Sequence, residues 1–175
     1  HADSKLKLNS ITVAKVSTSL ASLGLDVDAD STVSSLTVGY ATPVSIASGI
    51  TLSGGITVTA GSIKLDEEAG TLGSTVTMSG GKLDVDETLT VSGALTQSGA
   101  IEIDVDTDKT LTYSGDAVSL GAYTLTMSGG GTLSNTNAFV LNDADSKLLL
   151  NSITVASVST SANNSGLDVD QNSTV

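Results

Sequence analysis

Short alternating segments of apolar and polar residues return along this chain about every 20 positions. Leu25-Asp-Val-Asp, Leu83-Asp-Val-Asp and Ile103-Asp-Val-Asp are three examples. The corresponding slots lie near positions 6, 25, 44, 63, 83, 103, 125, 148 and 167, so the spacing is nearly but not strictly constant. A unit of this length cannot bury its apolar residues alone and has to stack on its neighbours. The period therefore restricts the fold to a stacked repeat.

A much longer repeat contains the short one. Residues 1–33 and 143–175 align without a gap, and 24 of the 33 positions are identical. Among the differences, Lys7 becomes Leu149 and Lys15 becomes Ser157. We therefore expect residues 1–175 to form a single solenoid segment, with 1–142 as one long repeat of seven rungs and 143–175 as the start of the next copy. The pattern is that of a window from a longer tandem array.

Each unit carries three alternating runs separated by Gly, Ser, Asn or Asp, which predicts three short strands and three turns. In one unit the runs are 83–86, 88–91 and 94–97. No window has a helical apolar stripe of sufficient length. The sequence thus predicts an all-β fold, a three-sided parallel β-solenoid (β-helix) of about nine rungs of ~20 residues with no helices of note. The Gly-rich strings at 53–55, 79–81 and 128–131 are predicted corners, since none matches a phosphate-binding loop.

Composition excludes several function classes. The chain has no Cys and no Arg, and its one His is at position 1, so disulfides, Cys-based metal sites and His-based catalysis are not expected. A net charge of −12 disfavours nucleic acid as a partner. No apolar run approaches the length needed to insert into a membrane as a helix. With four aromatic residues the chain also lacks the sugar-binding platforms of β-helical polysaccharide enzymes, and no enzymatic activity is expected.

Stacking successive units on one another predicts ladders of charged side chains. One column holds Ser62, Lys82 and Glu102, and the next holds Lys64, Asp84 and Asp104. The third holds Asp66, Asp86 and Asp106. Like charges on adjacent strands are destabilising unless the carboxylates splay into water or a cation lies between them.

Two interpretations of the acidic ladders follow. One is a solvated acidic face with no cofactor required. The other is structural calcium, held by Asp66, Asp84, Asp86, Asp104 and Asp106. The strings beginning at Asp26 and Asp104 open like a calcium loop but lack the Gly and Glu that complete one.

Thr-x-Thr pairs form a second candidate surface. Five occur, at 57/59, 75/77, 88/90, 110/112 and 124/126, and their spacing predicts that they do not share one face. Thr37, Thr57 and Thr77 are expected to stack. A second column is expected to be broken, running Thr12, Ser34, Thr51, Gly73, Thr90, Thr112, Ser134. Flat Thr-x-Thr arrays resemble the ice-binding faces of antifreeze β-solenoids, so ice is an alternative ligand.

The string Leu89-Thr-Val-Ser-Gly, with its variants at 111–115 and 125–133, resembles the repeats of bacterial surface exoproteins. These are autotransporter passenger domains and filamentous-haemagglutinin-like adhesins. The resemblance implies a right-handed parallel β-helix, an extracellular or cell-surface location, and a role in adhesion, matrix or fibre formation. It also implies contact with a cell surface or a glycan, and it transfers no functional residue.

The end rungs suggest the partner. A solenoid needs caps, because bare end strands present unpaired backbone groups, and neither end of the sequence shows an atypical capping unit. We therefore expect a structural or adhesive segment of a long secreted or cell-surface protein, whose partners are copies of itself, head to tail, or neighbouring repeats. The alternative function is a ligand-binding face, with calcium on the Asp ladders or ice on the Thr-x-Thr ladders.

Overall fold

The structure, a computed structural model, describes residues 5–17, 24–65, 70–170 and 172–175. Within these ranges it contains 23 short strands and no helix. In chain order they are β1 (Lys5–Leu8), β2 (Thr12–Val13), β3 (Val16–Ser17), β4 (Gly24–Val27), β5 (Ser31–Val38), β6 (Thr42–Ile46), β7 (Thr51–Val58), β8 (Ser62–Leu65), β9 (Thr71–Leu72), β10 (Thr75–Met78), β11 (Lys82–Val85), β12 (Leu89–Val91), β13 (Leu95–Gln97), β14 (Ile101–Val105), β15 (Thr110–Tyr113), β16 (Val118–Ser119), β17 (Thr124–Ser128), β18 (Thr132–Asn135), β19 (Phe139–Leu141), β20 (Lys147–Leu150), β21 (Thr154–Val155), β22 (Val158–Thr160) and β23 (Gly166–Val169).

The strands stack as a parallel β-solenoid. Face A is a nine-stranded sheet in the order β1-β4-β6-β8-β11-β14-β17-β20-β23. Face B contains β2, β9, β12, β15, β18 and β21, together with the first halves of the long strands β5 and β7. Face C contains β3, β10 and β13, together with the second halves of β5 and β7. The sheet β16-β19-β22 continues face C beyond β13. The predicted three-sided solenoid is confirmed, with eight turns and a ninth that β23 begins.

Long strands β5 and β7 pass from face B to face C without a break, and their mutual register shifts between Val33 and Leu36. Gly54 lies at this bend with φ +117°. A Cβ at Gly54 would come within 1.9 Å of the Val33 carbonyl oxygen, so only glycine fits between the two rungs at this corner. The Ser-Gly-Gly string at 53–55 is thus a corner, as predicted.

Aliphatic side chains fill the interior in columns that run along the solenoid. Leu25, Ile63, Leu83 and Ile103 all lie in the buried core of face A. Tyr113 and Phe139 are the two largest buried side chains, and their ring centroids are 5.8 Å apart. Fully burying a side chain of this size contributes about 1.5–3 kcal/mol, and adjacent rungs share that burial. No single rung therefore has a core of its own.

The register of face A differs from the predicted slots at two places. Val44 pairs with Leu65 and not with position 63, and Leu125 pairs with Ile101 and not with position 103. Both differences are two residues long. A shift of two keeps every apolar side chain inward, so the alternation of the sequence does not distinguish the two registers.

The long repeat offers a matched pair of core substitutions. Leu148 is fully buried, while Leu6, its counterpart in the first copy, lies in the end rung and is 44% exposed. We expect Leu148→Ala to lower the free energy of unfolding by about 2–5 kcal/mol and Leu6→Ala by about 1 kcal/mol or less, because only the first opens a cavity. Urea denaturation followed by circular dichroism measures both. Equal losses would contradict the burial difference between the two copies.

Candidate functional site

Two of the three charged columns on face A have the register that the sequence predicts, while the third contains Asp66, which lies outside the described residues. Asp84 lies opposite Lys64 on one side and opposite Asp104 on the other. Lys82 lies between Ser62 and Glu102 in the adjacent column. The structure therefore brings two carboxylates of neighbouring rungs directly together, at Asp84 and Asp104.

Lys82 provides the positive charge for this pair. Its Nζ lies 2.8 Å from Asp84 Oδ1 and 2.7 Å from Asp104 Oδ2. Glu102, which is opposite Lys82 in the backbone register, is not the residue that the ammonium contacts. A long side chain leans along the strand and reaches the diagonal neighbour. Burial lowers the pKa of Lys82, but hydrogen bonds to Asp104 and Asp84 outweigh it and hold the pKa above its usual value.

Two further contacts act on the carboxylates of the ladder, one with a lysine and one with a hydroxyl group. Lys64 also reaches diagonally and forms an ion pair with Asp86. Ser128 Oγ lies 2.9 Å from Glu102 Oε1 and 3.1 Å from Asp104 Oδ1, so it can donate to either carboxylate. Beyond it, a Cβ at Gly129 would come within 2.3 Å of Asp104 Oδ1, which makes glycine necessary at this position.

The calcium hypothesis named five residues, and in the structure these residues have different surroundings. Asp66 lies outside the described residues. Asp84 and Asp104 share Lys82, Asp86 is paired with Lys64, and Asp106 is exposed at the following corner. Within the described ranges, no three acidic or His side chains form a group that could hold a metal ion. Lysine ammonium groups thus lie beside Asp84, Asp86 and Asp104, and calcium binding stays a prediction.

Face B carries an ordered hydroxyl surface. The register gives one continuous outward column, which is Thr51, Thr71, Thr90, Thr112 and Ser134. Beside it runs a second column, which is Thr110, Thr132, Thr154 and Thr174. The two columns are two residues apart along each strand, or roughly 6.6 Å, and neighbouring rungs are about 4.8 Å apart. These side chains form a two-dimensional lattice of hydroxyl and methyl groups.

The predicted broken column is therefore wrong in its first half, whereas its run of Thr90, Thr112 and Ser134 is confirmed. Thr12 pairs with Thr32 and not with Ser34, and Thr51 pairs with Thr71 and not with Gly73. The prediction failed because rungs differ in corner length, so counting residues does not follow the column. On face C the predicted stack of Thr37, Thr57 and Thr77 is confirmed, and Ser17 and Thr96 extend it. The five Thr-x-Thr pairs do lie on more than one face, as expected.

The two end rungs expose residues that are core elsewhere in the same molecule. Leu6 and Ile11 are 44% and 48% exposed, whereas their counterparts Leu148 and Ile153 are buried. At the other end Leu167 and Val169 are 47% and 42% exposed, whereas Leu25 and Val27 are buried. Each pair is identical in sequence, so position in the stack alone decides the exposure.

The two end rungs also differ in charge. Residues 5–17 contain Lys5, Lys7 and Lys15 and no carboxylate, while residues 166–170 contain Asp168 and Asp170 and no lysine. Lys7 Nζ lies 3.1 Å from Asp26 Oδ2, and this hydrogen bond raises the pKa of Lys7. A hydrogen bond from Ser173 and another from the Ser152 amide lower the pKa of Asp170. One end of the stack is thus basic and the other acidic.

An apolar groove of about 380 Å³ opens beside the acidic end. Its apolar lining includes Leu141, Val158, Leu167 and Val175, and its polar side includes Thr160 and Asn163. Val158 corresponds to Val16 in the first copy. There, Val16 pairs with Leu36 of the next rung, and Leu36 is fully buried. The groove is therefore the position that a further face C strand fills elsewhere in the fold.

Sequence reasoning missed the end charges and part of the ladder. The sequence did contain a signal for the difference in charge between the end rungs. Lys7 and Lys15 of residues 1–33 are replaced by Leu149 and Ser157 in residues 143–175, which removes two positive charges from the second copy. The ion pair between Lys109 Nζ and Glu87 Oε2, at 2.6 Å, was also missed. These two residues are 22 positions apart, and a strictly regular repeat does not place them together.

Comparison of the chain with protein-family models, with curated proteins and with solved structures returned no match. None of the described residues forms a helix with the length and hydrophobicity that crossing a membrane requires.

Lys82 allows a direct test of what neutralises the ladder. We expect Lys82→Met to lower the free energy of unfolding by about 1–2 kcal/mol, because Asp84 and Asp104 then face each other uncompensated. Lys147→Met is the matched control, since Lys147 is exposed on the same face and outside the ladder. Melting temperatures with calcium or with excess chelator provide the measurement. The native chain should melt alike in both, whereas Lys82→Met should gain a calcium-dependent increase. A chelator-sensitive native chain would instead support the calcium hypothesis.

Proposed function

We propose that this chain is a structural and adhesive segment of a long secreted or cell-surface protein, and that its solenoid stacks end to end into a fibre or stalk. The observation that carries the proposal is the exposure of core residues at both end rungs. Leu6 and Ile11 at one end, and Leu167 and Val169 at the other, are aliphatic and about half exposed. The counterparts of these four residues in the other copy of the long repeat are buried. A buried environment is therefore the one that these positions favour.

Backbone groups support the same proposal. β1 and β23 are the outer strands of face A, and each has a neighbouring strand on one side only among the described residues. Edge strands with unpaired N–H and C=O groups accept another strand unless charge, proline or a covering segment prevents it. The partner that continues the sheet is a neighbouring repeat or a second copy of the chain. Such contacts are heterologous and do not close, so they generate a filament.

The lateral surfaces support association along one axis only. The net charge of −12 makes rods repel each other sideways, since carboxylates such as those of Asp84 and Asp104 lie on a lateral face of the stack. The resemblance to surface exoproteins in the Leu-Thr-Val-Ser-Gly strings supports an extracellular setting, with a cell surface or glycan as the adhesive target.

Negative-stain electron microscopy of the purified chain tests end-to-end association. Nine rungs at about 4.8 Å give a single rod of roughly 43 Å, so any longer unbranched rod has to contain several copies. We expect thin filaments whose length increases with protein concentration, both with calcium and with chelator. Discrete rods of one molecular length at all concentrations would refute stacking of this chain.

A second candidate function rests on the hydroxyl lattice of face B. Its main column is unbroken from Thr51 to Ser134, where the sequence had predicted interruptions. A flat, regular array of threonine methyl and hydroxyl groups is the kind of surface that binds ice. This makes ice a specific alternative ligand for this face.

Thermal hysteresis and ice-crystal shaping test this candidate. If face B binds ice, the chain should show both, and Thr112→Tyr should abolish most of the hysteresis, because a bulky ring in mid-column breaks the flat surface. Tyrosine is favourable in strands, so the fold should persist. Thr126→Tyr on face A is the control and should behave as the native chain. Absence of hysteresis in the native chain would remove ice binding.

A further inference from the structure

We propose that the junction between two successive rungs, β11–β13 and β14–β16, is a salt-controlled hinge inside the solenoid. Lysine ion pairs close the junction on face A, whereas the face C strands of the two rungs are not paired with each other in the described residues. The stack can open here into two folded blocks, β1–β13 and β14–β23. This inference concerns the middle of the stack and does not depend on end-to-end association.

Face C is interrupted at this junction. β13 and β16 are neighbours along the face, but no residue of one pairs with a residue of the other in the described part of the chain. The other successive strands of face C do pair, namely β3–β5, β5–β7, β7–β10, β10–β13, β16–β19 and β19–β22. Among the described rungs from β1 to β22, only this junction is therefore paired on two faces rather than three.

The phenol of Tyr113 takes the place of strand pairing at the gap. The Leu95 amide in β13 donates a hydrogen bond to the Tyr113 hydroxyl oxygen at 3.1 Å, and this hydroxyl donates to the Asp116 carbonyl oxygen at 2.7 Å. Asp116 lies two residues before β16, and the Tyr113 ring is buried. One side chain thus makes the connection that a run of backbone groups makes at the other junctions.

Gln97 adds a buried polar group to the same gap. It continues an inward column whose other members are apolar, namely Val38, Val58 and Met78, and it is only 7% exposed. Its Nε2 donates to the Thr124 carbonyl oxygen at 3.0 Å, beyond β16, while its Oε1 has no hydrogen-bond partner among the described residues. A buried acceptor of this kind regains hydrogen bonds to water when the junction opens, which lowers the cost of opening.

Ion pairs close the opposite side of the junction. Lys82 Nζ lies 2.7 Å from Asp104 Oδ2, and Lys109 Nζ lies 2.6 Å from Glu87 Oε2, and both pairs connect one rung to the next. Asp84 lies opposite Asp104, so the junction also brings two carboxylates together. The four paired side chains are partly exposed, and dissolved salt therefore weakens their attraction.

Residue-resolved hydrogen exchange tests the opening. The amides of Glu102 and Asp106, here called the hinge amides, donate across the junction to the preceding rung. The amides of Lys82 and Asp86 lie in the same columns one rung earlier and donate across a junction that is paired on all three faces. We expect protection factors about tenfold lower for the hinge amides, because opening at the hinge exposes only these. Equal protection at the two junctions would overturn the proposal.

Salt should increase this difference. Raising NaCl to about 1 M shortens the Debye length to about 3 Å and should lower the protection of the hinge amides by a further factor of about five. The amides of Lys147 and Asn151 are the control, since they bond across the β17–β20 junction, which no ion pair of the described residues crosses. A salt response that is equal at both junctions, or absent at both, would overturn the control by ion pairs.

Tyr113→Phe tests the face C side, because it keeps the buried ring and removes only the hydroxyl. We expect the hinge amides to lose about tenfold more protection, while amides at the other junctions keep theirs. Tyr40→Phe makes the same change at an exposed corner and should alter neither. Circular dichroism verifies that both variants are folded. An equal loss at every junction would overturn the hinge, since the hydroxyl would then support only the overall stability, and so would the absence of any loss.

Discussion

The hydrogen bonds between successive rungs determine almost every other feature of this protein. In a parallel ladder each residue lies about 4.8 Å from its partner one turn earlier and one turn later. A side chain therefore meets mainly the residues of its own column, and the character of a column is set by what recurs from one rung to the next. Leucine, isoleucine and valine recur inward and form the core, as at Leu83 and Ile103. Threonine recurs outward on face B and forms the lattice that Thr90 and Thr112 exemplify.

The same pairing of each residue with its partners in adjacent rungs brings carboxylates together on face A, and it limits which side chains can neutralise them. A repeated Leu-Asp-Val-Asp string stacks carboxylate on carboxylate wherever two such strings are adjacent, as at Asp84 and Asp104. Lys82 resolves this contact because its side chain is long enough to reach both carboxylates from a neighbouring column. The chain therefore supplies counter-ions of its own at this contact, from Lys64 and Lys82. Seven lysines against 19 acidic residues leave the remaining charge on the outer surface.

The fold could be predicted from the sequence because period and alternation together allow few structures. Three short alternating runs in each unit specify inward and outward positions, and turn residues mark the corners. Register could not be predicted as well, because the pairing of Val44 with Leu65 keeps the same alternation as a pairing two residues away. The face B columns were mispredicted for the same reason, since corner length varies from rung to rung. The two ladder columns that contain Lys82 and Asp84 were predicted correctly. The diagonal contacts of Lys64 and Lys82 could not be predicted, because they depend on side-chain length and direction, which counting residues along a column ignores.

Stacking of thin turns has a mechanical consequence when the molecule is pulled along its axis. Every rung then carries the full load in series, and an end rung, with a neighbour on one side only, is the first to yield. A released turn of about 20 residues can extend to roughly 65–70 Å, whereas it contributed about 4.8 Å to the rod. Each turn that opens therefore contributes more than ten times its former length, and the whole molecule gains roughly 60 Å. Under a sudden load the molecule extends one turn at a time. When the tension falls, a released turn can refold, because the rung on which it stacks is still folded.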